Sequence, residues 1–126
     1  MLKKGFKQLL AEANADIDSM PVALARDMLE DDDVVFVDVR EAQEREQGFI
    51  PGSVHAPRGF LEFIADPEGP MHHPAFADDK TLVLYCGTGG RSALAAKTLQ
   101  DMGFLKICSL VGGLAAWKEA GGPVTT

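Results

Sequence analysis

The chain has 126 residues, of which 46% are hydrophobic and 25% charged, and this size and composition fit one compact globular domain. It carries 19 acidic and 12 basic residues, for a formal net charge of -7, which excludes nucleic acid and anionic membranes as expected partners because both are negatively charged. The apolar runs are far shorter than a membrane span, and the N-terminus lacks the apolar core of a secretory signal, so a cytoplasmic location is expected.

The predicted elements alternate between helices and strands along most of the chain. In order they are helix 6–13, helix 21–30, strand 34–39, helix 41–47, strand 53–56, helix 58–65, strand 81–85, helix 91–102, strand 106–111 and a last helix around Trp117. Residues 16–21 interrupt the first two helices, and Ser19 or Met20 is expected to cap the second. The apolar runs 34–39 and 81–85 are typical of strands buried on both faces. The pattern predicts an α/β fold of three layers, with a central, mainly parallel sheet and helices on both faces.

A cysteine and a glycine-rich loop follow the predicted strand 81–85. The five residues after Cys86 form what we call the glycine loop: Gly87, Thr88, Gly89, Gly90 and Arg91. Glycines let such a loop turn its backbone N–H groups inward, and the start of the next helix adds unpaired N–H groups of its own. These donors would stabilise an anionic sulfur, so Cys86 is expected to have a lowered thiol pKa and to act as a nucleophile.

Charged residues near the ends of strands are the next candidates. Arg91 stands at a predicted helix N-terminus, where a cation is unfavourable, so it is expected to bind the anion or to brace the loop. Asp38 and Arg40 also lie at the end of a strand. We expect them to form a structural pair that holds neighbouring loops, rather than to take part directly in the chemistry. Arg58 is as compatible with substrate binding at the mouth of the site as with a solvated surface position.

Other residues that could carry chemistry have simpler structural explanations. Cys108 lies inside a strand pattern with no glycine loop after it, so core packing is favoured over a role as a resolving thiol for Cys86. His72 and His73 lie in the surface loop 66–80 with no further ligand at a suitable spacing, so no metal site is expected. Two cysteines are also too few for a disulfide framework.

Four segments resemble, in this order, the motifs of the rhodanese family. They are Asp38-Val39-Arg40, Gly48-Phe49-Ile50-Pro51-Gly52-Ser53, the run from Cys86 to Arg91, and Gly112-Gly113-Leu114-Ala115-Ala116-Trp117. The resemblance covers residues 17–120 and implies a rhodanese-like three-layer domain, which we place at residues 16–122 after an N-terminal helical extension, 1–15. One position departs from the family pattern, because Phe49 stands where histidine is usual.

The resemblance implies a sulfurtransferase that needs no cofactor. A small anionic donor such as thiosulfate, or a persulfide, would give its outer sulfur to Cys86, and the persulfide formed there would pass it to a small thiol or a protein acceptor. A carrier module that docks a partner protein remains an alternative, as does a phosphatase or arsenate reductase on the same scaffold. The family's phosphatase relatives have a longer loop than the four residues that separate Cys86 from Arg91, and the shorter loop favours sulfur over phosphate.

Overall fold

The computed structural model describes every residue, 1–126, and contains six α-helices, five β-strands and one short 3-10 helix. In chain order these are α1 (Phe6–Asp16), β1 (Asp18–Met20), α2 (Val22–Asp27), β2 (Val34–Asp38), α3 (Ala42–Glu46), β3 (Val54–His55), the 3-10 helix (Arg58–Phe60), α4 (Leu61–Ala65), β4 (Thr81–Tyr85), α5 (Gly90–Met102), β5 (Ile107–Leu110) and α6 (Gly113–Glu119). The predicted α/β fold with a central parallel sheet is confirmed.

All five strands belong to one sheet, in the order β1-β5-β4-β2-β3, and every neighbouring pair is parallel. Parallel neighbours need long connections, and helices supply most of them here. Because the strands run in one direction, their carboxyl ends meet along one edge of the sheet, where α/β proteins bind their ligands. Cys86 directly follows β4, the central strand, so the sheet places it in the middle of that edge.

Side chains of β4 alternate between two hydrophobic clusters, one on each face of the sheet. Leu82 and Leu84 pack in a cluster with residues of α1, α4 and α5. Val83 and Tyr85 pack in a second cluster with residues of α2 and α6, which includes the fully buried Trp117. The sheet lies between the two clusters and helices cover each cluster, which gives the three layers expected from the sequence. None of the helices has the length and apolar character needed to cross a bilayer.

The structure differs from the sequence prediction between the first two helices. Asp18–Met20 forms the edge strand β1 where only an interruption is predicted, because its backbone pairs with β5. The second helix ends earlier than predicted, at Asp27, and its N-cap is Pro21, with no side chain capping it. The prediction of a cap from Ser19 or Met20 is therefore wrong, since the backbone of both residues lies in β1.

Both ends of the chain lie against the body of the molecule. Helix α1 packs on α5 and buries Ala13. At the other end, Thr125 and Phe49 form an antiparallel bridge through two backbone hydrogen bonds of 2.9 Å. The division into an extension, 1–15, and a domain, 16–122, stays a prediction, and residues beyond 122 add to the packing of the structure.

Candidate active site

Hydrogen-bond donors surround the buried sulfur of Cys86, which is 1% exposed. The backbone N–H of Gly89 donates to Sγ at 3.1 Å and that of Ser92 at 3.4 Å, while the Ser92 hydroxyl oxygen lies 3.6 Å from the same atom. Gly89 adopts a left-handed conformation with φ of 110°, which turns the loop into the first turn of α5 and which a glycine adopts without strain. The glycine loop and the helix N-terminus together form a concave group of donors around one atom.

The same donors change the acidity of the Cys86 thiol. Burial alone raises its pKa, because a charged sulfur loses its hydration in the protein interior. Hydrogen bonds from the hydroxyl and the amide of Ser92, and then from the amides of Gly89 and Thr88, outweigh burial and hold the pKa below its ordinary value. The thiolate, which is the nucleophilic form of cysteine, therefore forms more readily at Cys86 than at an ordinary cysteine.

The first turn of α6 holds the glycine loop from behind. The N–H of Leu114 donates to the carbonyl oxygen of Cys86 at 2.8 Å, and the N–H of Ala115 donates to that of Gly87 at 3.0 Å. With these carbonyls bound to α6, the next amides of the loop are free to face the sulfur. Gly113 permits this close approach, because a Cβ at this residue would lie 2.6 Å from the carbonyl oxygen of Cys86.

Two buried serines extend the hydrogen bonds of the sulfur. The Ser92 hydroxyl lies 2.8 Å from that of Ser109 on β5 and 3.2 Å from the carbonyl oxygen of Gly89. When Cys86 is a thiolate, Ser109 can donate to Ser92 while Ser92 donates to the sulfur, so the pair stabilises the anion. The sequence reasoning missed both serines. A hydroxyl residue in the otherwise apolar strand β5 is the signal that could have found Ser109.

Arg91 binds a carboxylate of a neighbouring helix. Its Nη1 and Nη2 atoms donate to the two carboxylate oxygens of Glu44 on α3, at 2.7 and 2.8 Å. These bonds from Arg91 hold the pKa of Glu44 at about 2, so both groups are charged at neutral pH and together carry no net charge. Nη2 would lie 3.3 Å from a Cβ on Gly87, which places the guanidinium along the loop. Of its two expected roles, this contact supports bracing of the loop.

Asp38 and Arg40 form a buried network beside the loop. The fully buried carboxylate of Asp38 accepts hydrogen bonds from Arg40 at 2.9 and 3.0 Å, from Arg45 at 3.1 Å and from the Tyr85 hydroxyl at 3.2 Å. Burial raises the pKa of Asp38, but the bonds from Arg40 outweigh it and hold the pKa below its ordinary value. Arg40 also donates to the carbonyl oxygen of Gly48 at 2.7 Å. These contacts connect the end of β2 and the segment that follows it with Tyr85 of β4, which fits a structural pair.

Arg58 and the loop histidines make their contacts outside the glycine loop. Arg58 donates to Glu62 at 3.0 Å and to the hydroxyl of Thr98 on α5 at 3.0 Å. The ring of His72 lies 3.3 Å from the carbonyl oxygen of Phe76. No group of three or more His, Cys, Asp or Glu side chains is arranged to hold a metal ion. The structure does not bring Arg58 to the donors around the sulfur.

Phe49, the residue that departs from the family pattern, lines a separate hollow on the surface. The guanidinium of Arg45 lies over its ring at 3.9 Å from the centroid, as in a cation–π contact. His55 lines the same hollow, which contains neither Cys86 nor any residue of the glycine loop. Phe49 therefore packs against Arg45 and does not line the surroundings of the sulfur.

Cys108 lies on the opposite face of the sheet from Cys86. Its side chain packs in the cluster that contains Trp117, whereas Cys86 belongs to the cluster that faces α5. The hydrogen-bond partner of its sulfur is the carbonyl oxygen of Leu82, an acceptor, at 3.7 Å. Burial raises the pKa of the Cys108 thiol to about 11. These surroundings fit a core residue. Because the sheet lies between the two sulfurs, they do not support Cys108 as a resolving thiol for Cys86.

A cavity of about 390 Å³ opens at Cys86. It is lined by Phe6, Leu10, Cys86, Thr88, Gly90, Arg91 and Leu94. The glycine loop and the sulfur form one side, and side chains of α1 and α5 form the other. A larger cavity of about 740 Å³, between the loop before β4 and the end of α5, contains no residue of the glycine loop. Of the four cavities in the structure, the one of about 390 Å³ is the one that Cys86 lines, so a substrate would reach the sulfur through it.

Comparisons with known proteins agree with this geometry. Residues 22–120 match a family model described as Rhodanese-like domain. A sulfurtransferase of Allochromatium vinosum is 30% identical over 81% of this chain and 88% of its own length. A solved structure from Rhodopseudomonas palustris, a protein of unknown function described as a possible tyrosine phosphatase, is 45% identical with a TM-score of 0.94, covering 99% of this chain and 97% of that one. The polysulfide-sulfur transferase homodimer of Wolinella succinogenes is 32% identical with a TM-score of 0.75, over 95% of this chain and 86% of that one. The chain belongs to the rhodanese-like domain family.

Proposed function

We propose that this protein is a sulfurtransferase that carries sulfur as a persulfide on Cys86. The donor is thiosulfate or a persulfide, and the acceptor is a thiophilic molecule such as a small thiol or a thiol of a protein. The observation that carries the proposal is the pair of amides, from Gly89 and Ser92, that donate to one buried sulfur, with the Ser92 hydroxyl oxygen 3.6 Å from the same atom. Donors in this arrangement favour negative charge on the atom that would act as nucleophile.

The reaction divides into two sulfur transfers without a cofactor. In the first, the Cys86 thiolate attacks the outer sulfur of the donor, a new S–S bond forms, and the donor's own bond to that sulfur breaks. The leaving group, sulfite or a thiolate, takes the electron pair, and a persulfide anion remains on Cys86. In the second, the acceptor attacks the outer sulfur and the Cys86 thiolate leaves. In each step the attacking sulfur supplies one electron pair and the leaving group departs with one, so no external oxidant or reductant is needed.

The position of Arg91 supports sulfur rather than phosphate as the transferred group. A phosphate ester needs room for three equatorial oxygens and a cation directed at them. Four residues separate Cys86 from Arg91, and both terminal nitrogens of the guanidinium bind Glu44 instead of pointing freely into the loop. The named activities of the A. vinosum and W. succinogenes relatives also support sulfur transfer.

Intact-mass spectrometry of the protein after incubation with thiosulfate tests the proposal. We expect one added sulfur atom, mapped to Cys86 by digestion under non-reducing conditions and removed by cyanide with formation of thiocyanate. Cys86→Ser should lose both signals, while Cys108→Ala, the matched control, should keep them. The assay is repeated with an organic persulfide and with an aryl phosphate. Sulfur on Cys86→Ser, or hydrolysis of the phosphate ester without sulfur loading by any donor, would overturn the proposal.

A further inference from the structure

Helix α1 places apolar side chains beside the sulfur, although it lies before the segment 22–120 that matches the family. We infer that α1 selects the donor: Phe6 and Leu10 form an apolar wall that favours organic sulfane-sulfur compounds carrying an apolar group over thiosulfate. The inference rests on the proposed function, because it names the class of donor that reaches the same sulfur.

The lining of the cavity supports an apolar substituent on the donor. Phe6 and Leu10 from α1 and Leu94 from α5 line the cavity that contains Cys86. Phe6 is 67% exposed, so its ring faces water when the cavity holds no ligand. A bound apolar group would cover this ring and recover the free energy of hydrophobic contact, which a hydrated inorganic anion cannot do.

Helix α1 is fixed in this position by contacts with α5. Leu10 packs against the core cluster of that face, and its Cδ atoms would lie 3.9 Å from a Cβ on Gly90 in the glycine loop. At the end of α1, Asp16 binds Lys97 at 3.0 Å, and its carbonyl oxygen accepts a hydrogen bond from Gln100 at 2.8 Å. Helix α1 is therefore held against α5 at its middle and at its C-terminal end.

The charges around the cavity give thiosulfate little advantage. Arg91 is the one residue among the Lys, Arg, Asp and Glu types that lines the cavity, and Glu44 neutralises its charge through two hydrogen bonds. The lysines near the N-terminus lie outside the lining, and Lys4 is bound to Glu12 at 2.7 Å. A dianion would also approach a protein with a net charge of -7.

Two thiosulfonates that differ only in their apolar group test the inference. Benzenethiosulfonate and methanethiosulfonate carry the same reactive sulfur, and thiosulfate is the inorganic reference. The measured quantity is kcat/KM for sulfur loading of Cys86, divided by the rate with free cysteine to remove intrinsic reactivity. We expect the phenyl compound to exceed the methyl compound about tenfold, since burial of a ring is favourable by roughly this amount.

Variants of α1 distinguish the effect of the apolar wall on donor preference from the sulfur transfer at Cys86. In Phe6→Ala and in Leu10→Ala, the ratio of the phenyl to the methyl rate should fall toward about twofold or less. Leu9→Ala, on the adjacent position of α1, and Phe63→Ala, a comparably exposed phenylalanine on α4, should keep the preference. Phe6 is exposed, so its variant keeps the test valid even if Leu10→Ala unfolds.

The outcomes for donor selection and for sulfur transfer are distinct. Equal normalised rates for the two thiosulfonates, or a phenyl preference that survives both α1 variants, would overturn the role of α1 while loading of Cys86 still supports the proposed function. Failure of Cys86 to load from all three donors would overturn the proposed function and the inference with it.

Discussion

Cys86 directly follows β4 and Cys108 lies in the neighbouring strand β5, and both are almost completely buried, with 1% and 5% of their surface exposed. Their thiol pKa values nevertheless shift in opposite directions from the ordinary value. Burial raises the pKa at both positions. Cys86 also receives hydrogen bonds from the glycine loop and from Ser92, whereas Cys108 lies against the carbonyl oxygen of Leu82.

The comparison shows that burial does not decide whether a cysteine is reactive. The deciding factor is the set of hydrogen-bond donors: N–H groups point at the Cys86 sulfur and outweigh burial, whereas at Cys108 burial and the charge of Asp18 raise the pKa with no such donors to offset them. This difference follows from position along the strand. Cys108 lies inside β5, where backbone N–H groups are used in the sheet, while Cys86 follows the end of β4, where the amides of the loop and of α5 are still free.

Alkylation at increasing pH should separate the two thiols most strongly. Iodoacetamide reacts with the thiolate, so the rate at each cysteine rises with pH through its own pKa and levels off above it. With the pKa of Cys108 at about 11 and that of Cys86 below its ordinary value, we expect Cys86 to react at least about a hundredfold faster at pH 7. Peptide mapping of the native protein gives both rates. Equal rates would show that the donors around Cys86 do not stabilise its thiolate.

Stability at high pH should be sensitive to Cys108. Its pKa is about 11 in the folded protein and ordinarily near 9.0, so between these values the unfolded chain loses a proton that the folded chain keeps. The free energy of unfolding should therefore fall as pH rises from 9 to 11, by at most about 2–3 kcal/mol from this group. Urea denaturation of wild type and of Cys108→Ala at both pH values checks this. A loss of the same size in the variant would contradict the assignment.

Gly89→Ala should weaken the chemistry of Cys86 without a comparable effect on the fold. Gly89 has φ of 110° and donates to the sulfur, so a Cβ strains the conformation that directs its N–H. We expect sulfur loading to slow about tenfold, in line with a weakened hydrogen bond to a charged group. Gly103→Ala is the matched control, because Gly103 has φ of 111° at the other end of α5 and open space around it. Similar loss of activity in both variants would assign the effect to backbone strain.

The sequence predicts the chemistry at Cys86 better than the contacts that complete it. A strand end, a glycine loop and a helix start are local features, so the donors from Gly89 and the start of α5 follow from the order of residues. Glu44 on α3 has no such local signal, and Ser109 is marked only as a hydroxyl residue in an apolar strand, because both residues meet the site through tertiary packing.

Irregular segments explain the remaining errors in the fold. The edge strand β1 has three residues without a strand pattern and forms through backbone pairing with β5. The bridge between Phe49 and Thr125 likewise depends on main-chain groups rather than on a side-chain signal. Hydrophobic periodicity predicts elements that bury a face of their own, and it does not report a short segment that an existing sheet edge recruits.

Ser92→Ala should have the smallest effect on the difference between the two cysteines. Its hydroxyl lies 3.6 Å from the Cys86 sulfur, a long contact, so we expect a threefold to tenfold slower alkylation of Cys86 at pH 7 and a higher midpoint of its pH profile. The amide of Ser92 still donates in the variant, which limits the loss. Ser92→Ala also leaves the buried Ser109 hydroxyl without its partner, so the double variant Ser92→Ala/Ser109→Ala separates this cost in stability from the effect on the sulfur. An unchanged pH profile in both variants would show that the backbone donors alone stabilise the thiolate.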